Sequence, residues 1–410
     1  MNGKNPLPYF VLAGVVSGGL CGWVFGTRML AFAWIGEIFL DILKMLVVPL
    51  VFSSMVVGIS ALGDVRKLGK TGGLTLAYFL ATTGIAVVLG LVMVNLLRPG
   101  AGVKLSDGIP EAVMGRETYG ITDILKGFVS PNLVESMARM DILPIIVFAL
   151  VFGGVLTTLG EKGKTVIAFF DGVNEAIMKV VELAMYLAPI GVFSLIASKL
   201  GAVGGGDMFL DELLKIGRYA FTVVFSLAVH GLLVLPLILY YVAGRNPLKY
   251  LVNSSEALTT AFSTSSSSAT LPVTIECAEV NNKVSRRASL FVLPLGATVN
   301  MNGTALYEAV AAMFIAEMAG IPLGFWQQTV VFLTATLAAI GAAGIPEAGL
   351  VTLVMVLNSV GLPLEGIGAL LSIDWFLDRC RTAVNVWGDS VGAAVIDVLE
   401  EKFIDGGKTP

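Results

Sequence analysis

The chain has 410 residues, 56% of them hydrophobic and 14% charged, with a formal net charge of −4 and a mean hydropathy of +0.86. A soluble domain carries about 25% charged residues, so this chain has too few to coat a globule; a disordered chain, a collagen-like repeat and a disulfide scaffold are excluded too. What remains is an all-α polytopic membrane protein. The three cysteines, Cys21, Cys277 and Cys380, share no metal or redox spacing, and no basic cluster is dense enough to bind nucleic acid.

The stretch 7–25 follows a short positive start at Lys4 and lacks a small-x-small cleavage site, so it reads as a retained first helix. Windows of about 20 residues or more, long enough to cross a bilayer, lie at 7–27, 32–60, 74–97, 141–160, 166–200 and 217–243. A basic connector (64–70) precedes the third window and a Gly- and charge-containing loop (98–118) follows it. An amphipathic lead-in (121–140) opens the fourth. Basic residues gather at Arg66/Lys67/Lys70, Lys162/Lys164, Arg245/Lys249 and Lys283/Arg286/Arg287. These clusters fall in alternate loops, which by the positive-inside rule puts them and both termini on the cytoplasmic side of the cell membrane. His230, the single histidine, stands alone in the sixth window and reads as structural.

Beyond residue 250 the character changes. Residues 253–279 are moderately polar around the run Ser-Thr-Ser-Ser-Ser-Ser-Ala-Thr at 263–270. Next, 288–318 reads as a helix interrupted at Asn300-Met301-Asn302-Gly303-Thr304. The segment 327–362 then carries a small-residue tip at 341–346, and 370–399 is an apolar helix bearing several charges. Polar-tipped segment and helix thus alternate twice, and 268–274 and 347–353 are faintly alike. The order predicts an inverted repeat of re-entrant hairpins with a binding site near the bilayer midplane. Non-helical backbone at that depth is tolerated only where protein or a water-filled cavity satisfies it.

In the last helix Asp374, Asp378, Arg381, Asn385 and Asp389 follow one another in steps of 4, 3, 4 and 4, which places them within an arc of about 80°. Each charge in a membrane helix costs roughly 2.5–3.5 kcal/mol on insertion scales. An Asp378–Arg381 pair alone would only neutralise the face. Three carboxylates against one arginine leave a negative surplus that attracts cations, while the guanidinium offers a carboxylate a two-pronged grip. Together they describe a pocket for a zwitterionic acid plus metal cations. The break at 300–304 frees carbonyls suited to Na⁺, and the serine run offers backbone amides to an anion. Glu308, one turn past Thr304 in an apolar stretch, reads either as a protonated hydrogen-bonding group or as a proton relay.

The segments 265–272, 300–304, 341–349 and 374–392 together resemble the glutamate transporter family, the dicarboxylate/amino acid:cation symporters. The resemblance implies eight transmembrane helices plus two re-entrant hairpins, a homotrimer embedded in lipid, and an elevator movement of a transport domain against a scaffold. It divides the chain into scaffold helices 1–2 (1–70), transport helix 3 with its loop (71–118), scaffold helices 4–5 (119–215) and transport helix 6 (216–248). Hairpin 1 (249–286), the interrupted helix 7 (287–320), hairpin 2 (325–364) and helix 8 (368–402) follow.

By similarity, Arg381 binds the side-chain carboxylate of aspartate or glutamate and Asp378 the ammonium. Asn385, Thr304 and the backbone at Ser266 and Ser267 hold the α-carboxylate, Thr382 lines the pocket, and Ile345 and Gly349 close over it. One Na⁺ site is implied at Gly296, Asn300, Asn385 and Asp389, and a second at Thr298, Met301 and the carbonyls of Ala339, Ile340 and Ala342. A third is implied at Phe79, Thr82, Thr83, Asn300 and Asn302. No prosthetic group is implied; Na⁺ ions are cargo.

Ser265 replaces the arginine of archaeal members while Arg379 stands in the last helix, and Glu308 replaces their glutamine. Both features resemble the animal carriers, where that glutamate is tied to proton and potassium coupling. The chain lacks the animal carriers' long insertion in the fourth helix and so looks like a compact prokaryotic member. Asn302 stands where the family has aspartate, and Glu347 is unusual at the second tip. Within the class, a C4-dicarboxylate or a neutral amino acid carrier competes with the acidic reading; Arg381 argues against the neutral option and Asp378 against a ligand without an amine. An intramembrane serine hydrolase would need a general base and a G-x-S-x-G elbow, and a channel would conduct without substrate-driven uptake.

Overall fold

In a computed structural model, the structure describes residues 7–61, 69–101, 126, 129–139, 142–203, 207–341 and 348–405. Among them every regular element is helical. Three stretches, Ala13–Phe39, Thr71–Leu97 and Ile216–Ala243, are long and apolar enough to cross a membrane. Shorter apolar helices occur at Val48–Ser60, Pro144–Leu156, Ala188–Ser198 and Phe325–Ile340.

The helices pack in two groups. In the first, Leu7–Phe25 lies along Ala188–Val203, and Ala33–Ala61 packs on Ile142–Leu156, Glu161–Met185 and Ala188–Val203. Lipid supplies no hydrophobic drive for helices to associate, so close approach through small residues does it. Gly14 and Gly18, one turn apart, show this: a Cβ at Gly14 would sit 2.4 Å from the Pro189 carbonyl oxygen, and one at Gly18 2.7 Å from that of Phe193.

In the second group, Gly69–Leu97 packs on Asn302–Met318. The 39-residue helix Ile367–Asp405 lies against Arg286–Val299, Asn302–Met318, Ser255–Thr264 and Leu235–Ala243. The groups touch where Ala33–Ala61 and Ala188–Val203 meet Phe325–Gly341, Ala348–Ser359 and the last helix.

Three sequence-based boundaries are corrected. The window 166–200 is two helices, Glu161–Met185 and Ala188–Val203; Pro189 has no N–H to continue the earlier helix and fits only a first turn. The sixth helix starts at Asp207 and not near 217, because Asp207, Asp211, Glu212 and Lys215 depress the hydropathy of a segment that is nonetheless helical. It runs through a π turn at His230–Val234 into Leu235–Ala243. The interruption expected over 300–304 is confined to Asn300 (φ −102°, ψ 73°) and Met301 (φ −100°, ψ 55°), so Asn302, Gly303 and Thr304 form the first turn of Asn302–Met318.

The serine run behaves as a tip. Ser255–Thr264 ends in a left-handed residue, Ser265 (φ 53°), and extended Ser266 caps Ser267–Glu276 by accepting from the Ala269 amide. The second expected tip is flanked by Phe325–Gly341 and Ala348–Ser359. Ala342, Ile345 and Glu347 within it lie outside the described residues, as do most of the connector 64–70 and of the loop 98–118.

Candidate functional site

The five polar residues of the last helix are all buried, Arg381 completely. Its Nη1 donates to Asp374 Oδ1 at 3.0 Å and its Nη2 to Asp374 Oδ2 at 3.3 Å and Asp378 Oδ1 at 2.7 Å. The guanidinium carbon lies 3.9 Å from the centre of the Tyr307 ring, a cation–π contact strengthened by desolvation. Gly349, from the helix after the second tip, covers the fork so closely that a Cβ there would be 2.9 Å from Nη1. The expected surplus of three carboxylates thus divides in two: Asp374 and Asp378 sit on Arg381, and Asp389 lies apart from them.

Asp389 meets the broken helix instead. Its Oδ1 accepts from Asn300 Nδ2 at 2.8 Å, and Gly296 is a glycine because a Cβ there would come within 2.4 Å of the same oxygen. Asn385, one turn from both Arg381 and Asp389 on the same helix, also meets the broken helix. Its Oδ1 accepts from the Gly303 amide at 2.7 Å, and its Nδ2 donates to Thr304 Oγ1 and Met301 Sδ, each at 3.2 Å. A helix broken for two residues therefore presents a main-chain amide, a hydroxyl and a thioether to one amide side chain. Thr382 is buried but bonds back to the Asp378 carbonyl at 2.8 Å.

Ser266 and Ser267 are buried at the first tip. Arg379 reaches that tip from the last helix, its Nη1 donating to Ser265 Oγ at 3.0 Å and to the carbonyls of Phe262 and Ser263 at 3.3 and 3.2 Å. Phe79, Thr82 and Thr83 are buried on the helix that packs against Asn302–Met318. Ala339 and Ile340 lie at the end of a helix packed on both halves of the broken one; Thr298 Oγ1 bonds to its own helix at Leu295.

Three polar atoms at the break are buried with no hydrogen-bond partner among the described residues: Asn300 Oδ1 and both side-chain atoms of Asn302. Buried polar groups are nearly always satisfied. Together with a carboxylate held by one amide, orphaned oxygens are a donor set suited to a hard, oxygen-seeking cation such as Na⁺. Glu308 is fully buried on the same helix, with the Thr352 hydroxyl facing it.

Two participants had no assigned role in the sequence. Asp374 was visible on the helical face, but nothing in its spacing said that it, more than Asp378, grips Arg381 with both oxygens. Tyr307 gave no signal beyond following the Asn-Gly-Thr turn by three residues.

Over residues 7–399 the chain matches the sodium:dicarboxylate symporter family. It is 38% identical to excitatory amino acid transporter 1 of Ambystoma tigrinum, over 98% of this chain and 85% of the relative. It is 39% identical to excitatory amino acid transporter 3 of Homo sapiens, over 91% and 80%, and 36% identical to an excitatory amino acid transporter of Caenorhabditis elegans, over 96% and 87%. With the match spanning the broken helix, both tips and the acidic face that builds the buried centre, the chain belongs to the sodium:dicarboxylate symporter family.

Proposed function

We propose that this protein is a secondary active symporter that takes up aspartate or glutamate with Na⁺ and is no enzyme. The observation that carries this reading is the fully buried, forked guanidinium of Arg381, set between Asp374 and Asp378 at the junction of the broken helix and the last helix. A fork of this kind recognises a second carboxylate that a neutral amino acid lacks, while Asp378 suits an ammonium. A substrate carboxylate competes with Asp374 for the fork. Uptake of radiolabelled aspartate into liposomes under separately imposed Na⁺, H⁺ and K⁺ gradients tests the reading. Uptake of a C4-dicarboxylate in preference to aspartate, or conductance without uptake, would replace it.

On this reading the two packing groups are a scaffold and a transport domain. The transport domain comprises 71–118, 216–248 and everything from 249 onward, with the hairpins at 249–286 and 325–364 re-entrant. Eight membrane crossings, a homotrimer in the cell membrane and an elevator movement complete it, on the strength of the family resemblance, and the alternation of basic loops puts both termini in the cytoplasm. Asp389, Asn300, Asn385 and Gly296 would hold one Na⁺, and the junction of Thr298, Met301, Ala339 and Ile340 a second. Gly296→Ala is expected to displace the Asp389 carboxyl, since overpacking costs about 1–3 kcal/mol. The Na⁺ concentration for half-maximal aspartate binding should then rise about tenfold, measured by calorimetric titration at stepped Na⁺.

Glu308 would carry a proton during the cycle, with Arg379 at the first tip able to approach the emptied site. Glu308→Gln keeps the shape of the side chain and removes its charge. Exchange of substrate across the membrane should persist, while net uptake loses its dependence on internal pH or K⁺. A wild type without such dependence in liposomes would reduce Glu308 to a buried hydrogen-bonding group.

A further inference from the structure

We propose that Tyr250 is a positioning residue for the Asp389 carboxylate, acting through the backbone of the last helix; the proposal rests on the reading of Asp389 as a cation ligand. Asp389 is 2% exposed, and Asn300 Nδ2 holds its Oδ1 at 2.8 Å. One amide fixes neither the rotation nor the height of the carboxylate, so the backbone that carries it has to be set by other means.

The residues on either side supply them. Trp387 Nε1 donates to the Gly231 carbonyl at 2.8 Å, in the π turn of Asp207–Ala243. The Gly388 carbonyl accepts from the Tyr78 hydroxyl of Gly69–Leu97 at 3.1 Å, and the Ser390 carbonyl from the Tyr250 hydroxyl of Pro247–Asn253 at 2.8 Å. Four consecutive residues, 387 to 390, are therefore tied to four different elements. Successive helical residues point about 100° apart, so the ties surround the helix axis and do not line one face. An arrangement of this kind resists both rotation and sliding. Gly388 and Ser390 lie inside a continuous helix whose ladder already uses one lone pair of each carbonyl. The phenols take the second and are not needed to satisfy the backbone.

Tyr250 is the informative member. Its short helix carries no candidate substrate or cation ligand, whereas Tyr78 adjoins Phe79. Tyr250 is 3% exposed, with its ring centre 5.8 Å from that of Trp387. Its helix is anchored at both ends. Asn246 caps it by accepting from the Lys249 amide at 3.0 Å, and Ser254 accepts from Asn282 Nδ2 at 2.9 Å. The preceding Arg245 pairs with Asp397 of the last helix at 2.9 Å. The phenol thus reaches Ser390 from a base clamped to the same helix two turns further on.

The test is Na⁺-dependent aspartate binding to the purified full-length protein, with Tyr250→Phe removing the hydroxyl alone. Losing one neutral hydrogen bond's worth of positioning should raise the Na⁺ midpoint three- to tenfold. Aspartate affinity at saturating Na⁺ and the thermal midpoint should stay within error of wild type. Ser390→Ala removes a hydroxyl that lies 3.4 Å from Ser254 Oγ and donates to the Tyr250 hydroxyl at 3.4 Å, but keeps the carbonyl that Tyr250 holds, and should move the Na⁺ midpoint less than Tyr250→Phe does. If Asp389→Asn raises the midpoint while Tyr250→Phe follows the wild-type curve, the proposal is overturned. It is overturned as well if Ser390→Ala gives an equal shift, or if Tyr250→Phe weakens aspartate binding equally at saturating Na⁺. If Asp389→Asn itself leaves the midpoint unchanged, the reading of Asp389 as a cation ligand fails instead.

Discussion

Arg381→Thr is expected to lower the affinity for aspartate at least tenfold while binding of serine or alanine increases. Hydrogen bonds to charged groups contribute about 1.5–3 kcal/mol, and the substitution removes a fork that donates at 2.7–3.3 Å to two carboxylates. It also leaves Asp374 and Asp378 facing each other over the Tyr307 ring with no cation between them. Breaking a buried ion pair by deleting one partner costs about 3–5 kcal/mol, so the variant is to be paired with Arg381→Lys. Lysine keeps the charge but loses the planar fork; intermediate aspartate affinity in a protein of normal thermal midpoint is expected. Calorimetric titration showing unchanged aspartate binding in Arg381→Thr would remove Arg381 from substrate recognition.

Asn302→Asp is expected to steepen the Na⁺ dependence of aspartate binding and lower its midpoint. Asn302 is fully buried, neither side-chain polar atom has a hydrogen-bond partner among the described residues, and it lies beside Gly388, where a Cβ would be 2.8 Å from Nδ2. A carboxylate in that place brings a formal charge into contact with a cation. At an effective dielectric of 20, a unit pair 4 Å apart is worth roughly 4 kcal/mol. The amide oxygen still ligates but does not offset the desolvation of Na⁺ as a carboxylate does. Wild type should therefore move fewer Na⁺ per substrate than its relatives with aspartate there, with Glu308 protonation as a substitute driving ion. Superimposable Na⁺ curves for wild type and variant, or three Na⁺ per substrate from reversal potentials of the wild type, would make Asn302 a tolerated substitution.

The sequence was legible where one helix repeats a residue type at its own period. Asp374, Asp378, Arg381, Asn385 and Asp389 could be placed on one face without coordinates, and all five are buried. The break at Asn300 was legible because Asn and Gly are poor helix formers. Its extent was not, since Asn302 to Thr304 accept a first helical turn once Asn385 takes the Gly303 amide. Partnerships across long separations left no trace: the Arg245–Asp397 pair spans 152 residues, and a tyrosine that pins a carbonyl has no spacing signature. Hydropathy windows averaged across Pro189 and hid a helix break between Met185 and Ala188, where a proline in the first turn of the later helix has no N–H to continue the earlier one.

Sixteen of the seventeen residues of Asn302–Met318 are buried, Glu317 being the exception. For this helix the solvent is protein, not lipid. Scales that price residues by transfer into hydrocarbon therefore do not apply to it. Its alanines at 305, 309, 311, 312 and 316 are spacers that set how near its neighbours come, and any larger side chain there acts as a wedge. Glu308 likewise faces a fixed set of protein groups and not acyl chains. Changes in bilayer thickness or composition act first on the outer helices and reach Glu308 and the buried arginine only as strain passed through packed side chains.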